Sequence, residues 1–374
     1  MYRLLACIAL ILATVTAMDR VLASALGDLL LRSSDRFMTV YRPFEAEAQP
    51  AIDQGVKPGA KPDIKPGIKP PAGQEEQPAA LLVKAALTTQ PRPANGPATG
   101  PAAKPASGPA DVLVLGNSRA DNHFPVSALQ DMTCGRALNL GMGGAPTVLS
   151  ALLWDDYVER HGAPRLLVLE PTGLVDNPHD LADLPLLAYY SQRIDAFVRQ
   201  ENQELWMANH AFNLMTFNNN QTMRLIAGLV KPAADRTLVG AIPDPMKAQL
   251  AAAPEEMMTA DAANWQALDH IIASAQAQGT RVAVVITPYF PTYAGKLKNF
   301  DAFFADLKGR LPAGVTVIDA RRAVDKDELF MDALHVNEDG VRAMFAAMEP
   351  DLRPLGSCPV DAMASLSGTG NTTH

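Results

Sequence analysis

Cysteine is scarce in this chain, and what there is shows no pattern. The 374 residues contain three, Cys7, Cys134 and Cys358, widely separated. That excludes the paired spacings of a zinc ribbon or an iron–sulfur site. Histidine does not fill the gap. His123, His161, His179, His210 and His270 lack ligand spacing to one another, so no metal and no cofactor is expected. Positive charge is also short. Lys and Arg number 32 against 40 acidic residues, a net charge of -8. A nucleic-acid-binding protein needs a basic face, and this balance argues against one.

Proline is abundant and unevenly placed. Thirteen of the 30 prolines fall between Pro50 and Pro109, many in a four-residue Lys-Pro repeat that begins Lys57-Pro58-Gly59 and Lys61-Pro62-Asp63. Such a stretch cannot bury a core and favours extended polyproline conformations. Residues 45–110 are therefore expected to form a disordered linker, with a brief helix at residues 79–88. Read as a tether, it would carry a domain outward from a membrane. Before it, residues 4–18 form an uncharged apolar run ended by Asp19-Arg20. Residues 1–44 read as a signal peptide or a membrane anchor with a flanking helix. Small residues at 15–17 and 23–25 offer cleavage spacing, whereas a long tether favours an uncleaved anchor. Either way the rest of the chain leaves the cytoplasm. The Gly-, Ser- and Thr-rich residues 355–374 read as a disordered tail.

Residues 111–354 have globular composition. Short continuous apolar runs at 111–115, 137–140, 165–169, 281–286 and 315–318 alternate with helical patterns. Val341, Met344, Phe345 and Met348, for example, recur at i, i+3, i+4, i+7. Continuous rather than alternating apolar strands are those buried on both faces of a parallel sheet. The predicted fold is α/β, a doubly wound five-stranded parallel sheet. An irregular helical insertion, residues 184–253, follows the third strand.

Two stretches fall at the carboxyl edge of that sheet, where such folds place their chemistry. Gly116-Asn117-Ser118 ends the first strand and opens a helix. By itself it is as good a helix cap as a site. Asp332-Ala333-Leu334-His335 lies between the fifth strand and the last helix, which Asn337 caps. Three residues apart in a loop, Asp332 can orient the His335 imidazole and stabilise its protonated form. Together with Ser118 these groups suffice for nucleophilic catalysis.

On these residues, the globular part resembles the SGNH, or GDSL-like, hydrolase superfamily. Gly116-Asn117-Ser118 resembles its first block and Asp332-Ala333-Leu334-His335 its last. Asn139-Leu140-Gly141-Met142-Gly143-Gly144 resembles its second. The resemblance implies a flavodoxin-like fold, a triad of Ser118, His335 and Asp332, and an oxyanion hole using the backbone N–H of Ser118 and Gly144. It departs at the third block. A Gly-x-Asn-Asp motif is expected after the third strand, and Glu170-Pro171-Thr172-Gly173 stands there instead. Thr172 or Asn177 is the candidate replacement donor. This altered block, with the N-terminal apolar segment, is similar to exported SGNH proteins that acetylate polysaccharides such as alginate and cellulose. The implied partners are a polysaccharide acceptor and a membrane protein that donates the acyl group; the implied location is the periplasm, at the inner membrane. A carbohydrate esterase with the same triad, and a non-catalytic polysaccharide-binding part of an export complex, remain open alternatives. Arg119 and Asn117, beside the nucleophile, are candidate substrate-binding residues. Arg119 serves equally well in a salt bridge. Tyr289, with Trp206, Phe290 and Tyr293, either lines a sugar groove or belongs to the core. Finally, with Cys7 in the export segment and the rest in an oxidising compartment, Cys134 and Cys358 are expected to form a disulfide.

Overall fold

The computed structural model describes residues 2–42, 108–175, 181, 183–230, 235 and 237–358. The expected Pro-rich linker, its short helix, Asn177 and most of the tail lie outside these residues.

The chain opens with α1 (Tyr2–Leu30) and the short α2 (Arg36–Tyr41). The sheet unit then begins with β1 (Val112–Leu115), α3 (Ser118–His123), α4 (Val126–Thr133), β2 (Ala137–Asn139), α5 (Thr147–His161) and β3 (Leu166–Leu169). After a 3₁₀ turn, Pro171–Leu174, the insertion supplies α6 (Leu184–Tyr190), α7 (Gln192–Glu201), α8 (Gln203–Ala211), a 3₁₀ turn at Asn213–Phe217, α9 (Asn220–Val230) and α10 (Asp244–Ala252). The sheet resumes with α11 (Ala262–Ala277), β4 (Arg281–Ile286), α12 (Pro291–Ala294), α13 (Phe300–Arg310), β5 (Val315–Asp319) and α14 (Glu338–Leu352).

All five strands are parallel, in the order β2-β1-β3-β4-β5. The alternation of elements predicts the doubly wound parallel sheet, and the order is the flavodoxin-like one that the resemblance implies. β1 and β3 are short and wholly apolar, and every residue of both is buried. Alternate side chains feed two cores. Leu113, Leu115, Leu167 and Val284 face α5, α11 and α13. Val112, Val114, Val168 and Val285 face α3, α4 and α14. At about 1.5–3 kcal/mol for each fully buried aliphatic side chain, these two layers hold the frame on which the loops stand.

α4 and α14 share the second face, which decides the disulfide. Cys134 ends α4 in the left-handed conformation, with a φ of 54°. Cys358 follows α14 and is bonded to it, with Cα atoms 4.9 Å apart across 224 residues of sequence. Next to the bridge, Ser357 N–H donates to the Thr133 carbonyl at 2.7 Å. The expected pairing is present. Cys7 is the free cysteine of the described residues.

The N-terminal segment packs against the sheet unit. Phe37, Met38, Val40 and Tyr41 of α2 are buried in the same core as α5. Tyr41 donates its hydroxyl to Asp156 at 3.0 Å, and the Ala110 N–H donates to the Tyr157 hydroxyl at 2.7 Å. Tyr41 and Ala110, which flank the Pro-rich stretch, are thus held on consecutive residues of one helix, α5.

Candidate active site

The nucleophile loop starts from a steric requirement. Gly116 has a φ of 145°, and a Cβ there would lie 2.7 Å from the Glu170 carbonyl oxygen and 2.9 Å from the Ala120 Cβ. Only glycine lets β1 turn this sharply into α3. Asn117 caps the helix, its Oδ1 accepting from Arg119 N–H at 2.9 Å. Ser118 then stands at the first position of α3, half-buried.

The facing loop is folded by its own carboxylate. Asp332 Oδ1 accepts the N–H groups of Leu334 and His335, both at 2.8 Å. The ring of His335 closes on the same carboxylate, with Nδ1 at 2.9 Å from Oδ2, and presents Nε2 2.8 Å from Ser118 Oγ. Burial pushes the Asp332 carboxyl up. The hydrogen bond and charge of His335, with the two loop N–H groups, outweigh it and hold the carboxyl below the usual range. Underneath, Phe330 and Val336 pair across the loop, and Phe290 donates its N–H to the Ala333 carbonyl at 3.1 Å. Asn337 closes the loop by capping α14 and donating to the Gly240 and Glu328 carbonyls. Sequence separations of over 200 residues thereby end in a continuous Ser–His–Asp hydrogen-bond relay.

The loop after β2 is the third wall. Asn139 is buried, donates to the Ala120 and Phe124 carbonyls at 2.8 and 2.9 Å, and accepts the Gly141 N–H at 2.8 Å. Met142 N–H reaches the Gly116 carbonyl, so this loop and the nucleophile loop are bolted together. Gly144 is exposed at the turn, with a φ of 68°, and its N–H makes no hydrogen bond among the described residues. Sequence reasoning missed Arg36. From α2 it donates to the Gly141 carbonyl at 2.7 Å and pairs with Asp121 at 2.5 Å. Only the folding of the N-terminal segment onto this loop makes it visible.

Four candidates for a substrate or oxyanion role are held in internal contacts. Arg119 is 1% exposed and faces away from the open edge. It donates to the Thr287 hydroxyl and to the Thr287 and Pro288 carbonyls, lies 3.7 Å from Glu170, and stacks on the Tyr289 ring. The ion-pair alternative is what the fold uses. Tyr289 is buried with it, as is Phe290, while Trp206 and Tyr293 stay half-buried. Tyr289 therefore belongs to the core rather than to a sugar groove. Thr172 is buried as well. Its hydroxyl donates to Glu170 Oε2 at 2.6 Å and accepts from Asn117 Nδ2 at 3.0 Å. That proton is committed, so Thr172 offers no side-chain donor to an oxyanion. Asn117 reaches Thr172 instead of standing free for a substrate.

Glu170 gathers these contacts. It accepts from Thr172 N–H, the Thr172 hydroxyl and the Thr287 hydroxyl, beside Arg119. Burial raises its pKa, opposed by Arg119 and by those hydrogen bonds. The carboxylate ties together the carboxyl ends of β1, β3 and β4, where the family resemblance calls for an amide.

No family model matches this sequence, and no curated protein matches it. Among solved structures, it is similar to a crystal structure of a Bacteroides fragilis NCTC 9343 protein provisionally described as an acylhydrolase. The two share 11% identity at a TM-score of 0.33, over 75% of this chain and 99% of that one. A likeness at that level supports neither a family nor an activity.

Proposed function

We propose that this chain is an exported, SGNH-type serine acyl-transfer enzyme that moves an acetyl group through an acyl-serine to a polysaccharide hydroxyl. The observation that carries the reading is the relay itself: His335 lies 2.8 Å from Ser118 Oγ and 2.9 Å from Asp332. As Oγ attacks an ester carbonyl, its proton passes to His335 Nε2. The tetrahedral oxyanion is held by the N–H groups of Ser118 and Gly144. Collapse breaks the ester bond, and His335 returns the proton to the departing oxygen. A sugar hydroxyl then gives its proton to His335, attacks the acyl-serine and releases Ser118. Water in place of the sugar makes the same chemistry an esterase.

The transferase reading is supported by Glu170. A buried carboxylate stands where a side-chain donor is expected, which leaves an oxyanion hole of backbone donors alone. Losing one donor typically costs about 10²–10³ in rate, a handicap for hydrolysis of arbitrary esters. It matters less where a membrane partner delivers the acyl group directly. The Cys134–Cys358 bridge and the apolar α1 support a location outside the cytoplasm.

The test uses the purified chain, an acetyl-ester donor and an oligosaccharide acceptor, with acetate and acetylated sugar measured by mass spectrometry. Acetyl-sugar formation is expected to depend on Ser118. Loss of about 10⁴-fold is expected in Ser118→Ala. Acetate as the only product would replace the transferase with the esterase. A folded Ser118→Ala protein with full turnover would remove both.

A further inference from the structure

α1 changes character at Asp19. Every residue from Leu5 to Met18 is exposed, including Leu10, Ile11, Leu12 and Val15, so no described part of the protein covers this stretch. From Asp19 on, a stripe of Asp19, Ala23, Gly27 and Leu30 is buried against the insertion. The approach is close: a Cβ on Gly27 would lie 2.7 Å from Tyr189, and the Tyr190 hydroxyl donates to the Gly27 carbonyl.

The charges at this junction are held by protein. The Asp19 carboxylate caps the 3₁₀ turn Asn213–Phe217, accepting the N–H groups of Asn213 and Leu214 at 2.8 and 3.0 Å. Arg20 donates to the Asn213 side chain and the His210 carbonyl. Mid-helix charges are the usual objection to a membrane span. Here they mark where the span meets the domain. Cleavage near residue 25 would take Arg20 and half of this docked stripe, Asp19 and Ala23, with it.

The insertion elements that α1 touches carry an unusual surface. Phe212, Leu214 and Met215 are exposed beside the Asp19 cap, and Met223 and Ile226 are exposed on α9, whose far end meets Ser34. The inward face of α9 buries Thr222 and Leu225, so Met223 and Ile226 stand on its other face, uncovered by any described residue. The exposed run Leu5–Met18 ends at Asp19, and the apolar collar begins beside that end.

We propose that this collar is a lipid-docking face. α1 stays attached and spans the bilayer, and the insertion rests in the boundary between headgroups and acyl chains. Burial there continues the apolar surface of the span across the boundary. The domain then sits directly on the membrane. This inference does not rest on the proposed chemistry, and its test does not use activity.

The experiment uses the full chain in a Cys7→Ala background, reconstituted in phosphatidylethanolamine–phosphatidylglycerol vesicles. Single cysteines replace Phe212, Met215 or Met223, with Ile11 as the lipid reference. Ala346, exposed on α14 across the sheet, is the water reference. Each carries a nitroxide, and collisions with oxygen and with a water-soluble nickel chelate are compared. Positions 212, 215 and 223 are expected to favour oxygen several-fold over Ala346, approaching Ile11. Nickel access at all three equal to that at Ala346, with Ile11 still in lipid, would overturn the proposal. Shielding in native membranes but nickel access in pure vesicles would overturn it too, in favour of a protein partner on this face. Mass spectrometry of chain recovered from cells checks retention of α1, and loss of the residues before Asp19 would also overturn it.

Discussion

The two sides of the Ser118–His335 contact are held in opposite ways. On the nucleophile side, placement is global. Ser118 follows a glycine that no side chain can replace without collision, and Arg119 next to it is buried on groups from β3 and β4. On the base side, placement is local. Asp332 gathers two N–H groups and the imidazole within four residues, and remains partly open to solvent. In the proposed chemistry Ser118 Oγ must match the base and the oxyanion donors at once, and its position is over-determined by three strand ends. The base needs one orientation, and a single carboxylate supplies it.

The largest effect should come from breaking the local side. Asp332→Asn keeps an oxygen for the loop N–H groups but can no longer accept Nδ1–H as a carboxylate does. Turnover of an acetyl ester should fall by about 10⁴-fold, the scale known for triad carboxylates. Thermal stability should change little. Steady-state kinetics and a melting curve on the same sample suffice, and a variant with more than a tenth of wild-type turnover contradicts the assignment.

Breaking the global side should instead cost stability. Glu170→Ala leaves the Arg119 guanidinium buried without its carboxylate, and removing one partner of a buried pair costs about 3–5 kcal/mol. Removing both, in Glu170→Leu with Arg119→Met, should recover much of that, because no uncompensated charge remains. Urea denaturation of the three proteins measures it. An Ala variant as stable as wild type would mean that the ion pair does not organise these strand ends.

That asymmetry also explains what was legible in the sequence. Asp332 and His335 could be read from spacing, because their contact is made within one loop. Ser118 could be read from a strand-turn-helix pattern. The five strands follow from continuous apolar runs alternating with helical periodicity, a local signal repeated five times. Arg119 could not be placed, because whether a first-turn residue points out or in depends on Thr287, 168 residues away. Glu170 registered only as a missing amide, since its partners come from other strands. That Tyr41 and Ala110, on either side of the Pro-rich stretch, meet α5 was hidden for the same reason. Arg36 and the Asp19 stripe were hidden by the same dependence on distant partners.

The smallest predicted effect lies where the two sides meet. His123 ends α3, the helix that carries Ser118, and is fully buried. Its Nε2 accepts the N–H of Val336, the residue after His335, at 3.2 Å. Burial, then the charges of Arg119 and His335, push its pKa well below the ordinary histidine value. The folded protein therefore keeps this ring neutral while the unfolded chain binds a proton below about pH 6.5. Stability contributed by the neutral ring is full above that pH. It is lost as pH falls toward the lower folded value, by up to about 1.4 kcal/mol per pH unit. His161, lowered by burial, adds a loss of the same sign, and His270, raised by its hydrogen bond to Asp155, opposes it. A difference between two proteins removes both. His123→Gln retains an acceptor for the Val336 N–H but does not titrate. Between about pH 7.5 and 5.5, urea-derived stability should fall by about 1 kcal/mol less in the variant than in wild type. Parallel profiles would show that the contact between the α3 end and the base loop carries no proton linkage, and the two sides would then be coupled through Ser118 and His335 alone.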